Sequence, residues 1–61
     1  EMKRYYVTNV DTEVTVFQKM QKIAVINNSG KECQTDLYIN GDFIVRLTLE
    51  PGEMRWLNET M

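Results

Sequence analysis

The residue types that carry most enzymatic chemistry are scarce in this chain, which has no histidine and one cysteine, Cys33. Without an imidazole there is no common general base and no usual partner for a serine or cysteine nucleophile, so hydrolytic triads are excluded. Cys33 has the acidic Glu32 beside it, a neighbour that does nothing to favour a thiolate, and it reads as an inert thiol that is buried or half-buried. Asp36, Asp42, Glu50 and Glu53 are oxygen donors of the type that calcium takes. They fall in separate strands and turns, without the Asp-x-Asp-x-Asp-Gly loop that gathers such ligands, so no metal and no cofactor are expected. Asn27-Asn28-Ser29 and Asn58-Glu59-Thr60 match the acceptor pattern for N-glycosylation but read as turn residues. The aromatic side chains remain. Tyr5, Tyr6, Tyr38 and Trp56 are the candidate interface residues, able to form a platform for a sugar ring or a partner protein.

The elements that must position these rings are strands. Valine, isoleucine and threonine supply sixteen of the 61 residues and alanine only one, a balance suited to pleated, half-buried surfaces and poor in helix propensity. Phe43, Val45, Leu47 and Leu49 alternate with Ile44, Arg46, Thr48 and Glu50, and Cys33, Thr35, Leu37 and Ile39 alternate with Gln34, Asp36 and Tyr38. Each run predicts a strand with one face inward. Asn40-Gly41 between them tolerates positive φ at both positions and predicts a two-residue type I′ hairpin. Glu50-Pro51-Gly52-Glu53 predicts a type II turn, with proline presetting φ and glycine accepting the positive φ that follows, and Met54 to Asn58 as the strand after it.

Upstream, Lys3 to Thr8 and Thr12 to Phe17 read as strands separated by Asn9-Val10-Asp11. Lys22 to Ile26 reads as another, ended by the turn cluster Asn27 to Gly30. Ile23 to Ile26 is apolar on consecutive residues, which requires cover on both faces. Between Phe17 and Ile23 a helical spacing competes, but the segment lacks an N-cap and is too short to be stable alone, so it is read as a loop or bend. Six short strands in one domain, residues 1–61, describe an all-β fold: a small antiparallel β-sandwich or barrel-like domain. Alternation leaves the face of Trp56 open. It lies inward if Met54 does, the placement favoured by the strongly apolar neighbouring strand, and outward if Arg55 and Leu57 take the inner face.

A chain of 61 residues buries only about 60% of its unfolded surface. It lacks the disulfides and zinc ligands that sustain other small scaffolds, so association is expected, as a homo-oligomer and not a stable monomer. The longest unbroken apolar stretch, Ile23 to Ile26, is far too short to span a bilayer, and Glu1-Met2-Lys3-Arg4 leads into tyrosines rather than an apolar leader, so a soluble, unexported chain is expected. Residues 1–31 hold five basic and three acidic side chains, and residues 32–61 hold two and six. Neither sign dominates enough to indicate nucleic acid, and no membrane partner is expected, although the asymmetry would suit head-to-tail contacts.

The order of the pieces carries a resemblance over residues 12–58. Thr12-Glu13-Val14-Thr15-Val16 is followed by a short lysine-containing connection, by Lys22 to Gly30, by Leu37-Tyr38-Ile39-Asn40-Gly41 and by Leu47-Thr48-Leu49-Glu50-Pro51-Gly52-Glu53. This resembles the small β-sandwich modules of tailed-bacteriophage virion proteins, found in decoration, head-fibre, neck and tail-fibre components. It departs from them at Lys19-Met20-Gln21, where those modules carry a proline, alanine and glycine turn. The resemblance implies a non-enzymatic structural component of the virion, assembled as a homo-oligomer, specifically a trimer, against a larger virion protein, and located in the virion or the cytoplasm of an infected host. The alternative is a free-standing ligand-binding module, a carbohydrate-binding or inhibitor domain using exposed aromatics. Neither reading implies catalysis.

Overall fold

The computed structural model describes residues 3–58. Six strands follow one another as β1 (Tyr5–Val7), β2 (Thr12–Phe17), β3 (Lys22–Asn27), β4 (Cys33–Ile39), β5 (Asp42–Leu49) and β6 (Met54–Asn58). They form two antiparallel three-stranded sheets, ordered β1-β4-β5 and β2-β3-β6. The all-β expectation holds, with β1 shorter than the expected Lys3 to Thr8 and β3 running one residue further, into Asn27.

Both tight turns form with the expected chemistry. Asn40 (φ 55°) and Gly41 (φ 86°) are both left-handed, closing the β4–β5 hairpin with Ile39 opposite Asp42. At the second turn Gly52 has φ 72° and the Glu53 N–H donates to the Glu50 carbonyl at 3.0 Å. This turn does not close a hairpin. It carries the chain from β5 in one sheet to β6 in the other, where β6 pairs with β3. The connection from Phe17 to Lys22 is a single 3-10 turn, Gln18–Met20, followed by Gln21 in the left-handed region with its N–H donating to the Gln18 carbonyl at 3.1 Å.

The core lies between the sheets. Ile23 and Val25 from β3 meet Leu47 and Leu49 from β5, with Tyr5, Val7, Val14, Ile39, Val45 and Leu57 packed around them. As the middle strand of its sheet, β3 is covered on both sides: Ile23, Ala24 and Val25 are all buried.

Two polar clamps fasten one end of the sandwich. Asn27, fully buried at the end of β3, donates through Nδ2 to the carbonyls of Lys31 (2.8 Å), Leu49 (3.1 Å) and Glu50 (3.1 Å). Its Oδ1 accepts from the Ser29 N–H (2.9 Å) and hydroxyl (2.8 Å). Its backbone pairs with the second turn, Asn27 N–H to the Glu53 carbonyl and Gly52 N–H to the Asn27 carbonyl, both at 3.0 Å. Beside it the buried hydroxyls of Thr12 on β2 and Thr35 on β4 meet at 3.1 Å, Thr35 Oγ1 accepts the Asn9 N–H at 3.0 Å, and the Thr12 hydroxyl bonds the Asn9 carbonyl at 2.7 Å. Burying polar groups is costly unless each is paired, and among the described residues no buried side-chain nitrogen or oxygen lacks a partner.

Two expectations about faces are corrected. Phe43 does not continue the inward row of Val45, Leu47 and Leu49. The register shifts between Leu37 and Tyr38, so that Leu37 faces Val45 but Tyr38 faces Phe43, leaving Ile44 as the extra residue of a β-bulge. The bulge turns Phe43 to the outside, 53% exposed. Trp56 is not a core residue: it is 46% exposed and shares the outer face with Met54, while Arg55 and Leu57 take the inner side. The strands also leave four sheet edges rather than the two of a continuous six-stranded sheet.

Candidate functional site

The four candidate interface rings do not form one surface. Tyr5 points inward and packs against the core. Tyr6 and Tyr38, directly paired between β1 and β4, lie on the outer face of their sheet. Their ring centroids are 6.1 Å apart, and the bulge brings Phe43 alongside, 5.8 Å from Tyr38 and edge-on to it at 76°. The rings form a tilted row across three strands rather than a flat platform. Next to them Asp36 accepts two bonds from Arg46, from Nε at 2.8 Å and Nη2 at 3.3 Å. This forked pair holds the Asp36 carboxyl below the usual carboxylate range and raises the Arg46 guanidinium above its own, in both cases chiefly through the side-chain hydrogen bond.

Trp56 lies on the outer face of the other sheet. Its partner there is Phe17, at the end of β2, with ring centroids 5.4 Å apart and planes inclined by 37°. By register Trp56 lies beside Ala24, and Phe17 beside Lys22, so the two rings approach each other across the middle strand. This explains how an outward-facing alanine is only 1% exposed. Phe17 and Phe43 are the two rings that sequence reasoning missed. The signal for Phe17 was present, because Val14 and Val16 on the inner face place Phe17 outward by alternation. The signal for Phe43 was hidden by the bulge.

No group of three or more Cys, Asp or Glu side chains converges among the described residues. Asp36 and Glu53 are each committed to an arginine; Glu53 Oε2 accepts from Arg55 at 2.8–2.9 Å, and its Oε1 accepts the Glu50 N–H at 2.9 Å. Cys33 is a half-buried free thiol with the Ser29 hydroxyl 4.0 Å from Sγ. The Asn27 carboxamide is consumed inside the fold, so the first of the two acceptor patterns is a structural turn. The second, Asn58-Glu59-Thr60, runs outside the described residues.

The chain gave no match among curated proteins or solved structures. A family of domains does match: the lacto-N-biose phosphorylase C-terminal domain, over residues 5–57. That span begins at the first residue of β1 and ends one residue short of the end of β6, so it takes in all six strands. The chain belongs to this family. Its membership overturns the likeness to bacteriophage virion modules, and with it the decoration or tail role. The physical reason is that the motifs behind the likeness, Asn40-Gly41 and Glu50-Pro51-Gly52-Glu53, are turn chemistry: they record positive φ at fixed positions, which unrelated β domains share. The family is described as a C-terminal domain of a phosphorylase rather than as a free-standing carbohydrate-binding or inhibitor module, and the match leaves carbohydrate binding by the domain untouched.

Proposed function

We propose that this chain is a non-catalytic accessory domain of a glycoside phosphorylase, contributing a rigid, protein-facing scaffold while the phosphorolysis takes place elsewhere in the enzyme. The observation that carries this reading is the family match, which spans every strand of the fold. Two features of the chain support it. Two of its carboxylates, Asp36 and Glu53, are each paired with an arginine rather than gathered in a cleft. Tyr6, Phe17, Phe43, Met54 and Trp56 lie exposed on outer sheet faces, and aromatic residues and methionine are enriched in protein contacts.

The test is a direct assay of the purified chain with lacto-N-biose and inorganic phosphate. The expected result is no release of a sugar phosphate above the uncatalysed background. Turnover by the chain alone, lost on replacing Asp36 or Glu53, would show that the domain carries chemistry and would overturn the reading.

A further inference from the structure

The outer face of the β2-β3-β6 sheet is apolar at its middle, with Phe17, Met54 and Trp56 each 38–46% exposed around the buried Ala24. Its two ends carry opposite charge. Lys22 lies at the end where β3 faces Phe17 and Asn58, and Glu13 lies at the other end, opposite Ile26. Among the described residues neither is in an ion pair, and the Asn28 carboxamide donates to Glu13 Oε1 at 3.2 Å and steadies that carboxylate.

We propose that this face binds a second copy of the chain, face to face, about a two-fold axis that lies in the interface and crosses the strands near Ala24. Such an axis reverses the strand direction, bringing Lys22 of each copy over the Glu13 end of the other and making the same charge contact twice. An axis running along β3 would instead exchange β2 with β6, setting Lys22 over Lys22 and each Glu13 over Met54 of the other copy. The charge pattern therefore selects one of the two face-to-face arrangements. The same operation places the apolar middle of the face against itself. Two sheets in such a stack lie about 10 Å apart with side chains interdigitated, and the tilted Phe17–Trp56 pair provides the relief for that.

Three strands of five or six residues make a small face, at or below the low end of the areas that stable protein interfaces bury. The dimer is accordingly weak and in concentration-dependent exchange with monomer. The inference stands apart from the accessory-domain reading, since a domain of the same family with no self-contact would remain an accessory domain.

Sedimentation equilibrium of the chain over about a hundredfold range of concentration reads the proposal directly. The mass is expected to rise from monomer toward dimer. Lys22→Glu and Glu13→Lys, each alone, should weaken dimerisation by at least about tenfold, because each replaces two attractions with two repulsions. The double variant Lys22→Glu/Glu13→Lys should restore it. Both positions lie on the outer face, and circular dichroism of each variant checks that the fold is intact. A monomer throughout, a trimer, or single charge reversals without effect would overturn the proposal, as would a double variant that stays monomeric.

Discussion

The Asn27 carboxamide, at the end of β3, donates to the Leu49 carbonyl at the end of β5, 3.1 Å away, and so ties the two sheets together through a side chain rather than a ladder. Backbone pairing holds each sheet internally, but nothing in a ladder fixes one sheet against the other. The apolar contact of Ile23, Val25, Leu47 and Leu49 supplies the attraction. Asn27 supplies the alignment, because its two hydrogens serve carbonyls on three residues, two of them consecutive, Leu49 and Glu50.

Replacing Asn27 with alanine leaves those carbonyls short of a donor in a closed site, a change that typically costs roughly 1–3 kcal/mol. Urea denaturation should place Asn27→Ala at the upper end of that range, with the midpoint lowered and the slope unchanged. Asn27→Asp should be at least as damaging despite its equal size, since a carboxylate cannot donate to carbonyls. An aspartate variant of wild-type stability would show that packing, and not donation, is what Asn27 contributes.

Gln21 has the opposite character. It is exposed and sits at φ 54°, a conformation that a side-chain-bearing residue adopts at a cost of about 1–2 kcal/mol. Gln21→Gly removes that cost while adding freedom to the unfolded chain, so a net gain of about 0.5–1 kcal/mol is expected. The melting temperature reads it, and a fall would mean that the Gln21 side chain is held by a contact that offsets the strain.

The carboxylates predict an acid limb. Glu53 lies below its ordinary value of 4.5, first because the Glu50 N–H bonds its Oε1 and second because of Arg55. Asp36 lies below its ordinary 3.8, first through the Arg46 hydrogen bond. A depressed carboxylate contributes stability that is complete above its unfolded value and lost as pH falls through the lower folded one. Stability should therefore be flat above about pH 5 and decline as the medium is acidified below 4.5. Glu53→Gln should flatten part of that decline, and equal slopes for wild type and variant would remove Glu53 from the account.

Cys33 opens β4 on its inner face and is half-buried beside Ser29. A thiol reagent should modify it slowly in the native chain and rapidly in denaturant. Native labelling at the denatured rate would place that end of β4 outside the sandwich.

Much of this architecture is legible in the sequence, because its signals are local. Asn40-Gly41 and Pro51-Gly52 declare positive φ, and the alternation from Cys33 to Ile39 declares a face. What is not legible depends on partners distant in the chain. A period of two defines two faces without saying which is inside, so Trp56 could not be placed until β6 was seen to pair with β3 and to turn Leu57 toward the core. The bulge at Ile44 adds one residue to one strand, and only the pairing with β4 shows it. The aromatic site was therefore half legible: Tyr6, Tyr38 and Trp56 were named, but their division between two faces, and their partners Phe43 and Phe17, required the sheets.

The outward placement of Trp56 underlies the association surface, and the chain has a single tryptophan to report it. Iodide quenching of its fluorescence, followed across about a hundredfold dilution, measures its exposure in both states of association. The account predicts ready quenching in dilute native protein and progressive protection as concentration rises, with protection lost again in Lys22→Glu. A tryptophan as shielded at high dilution as in a folded core would contradict it.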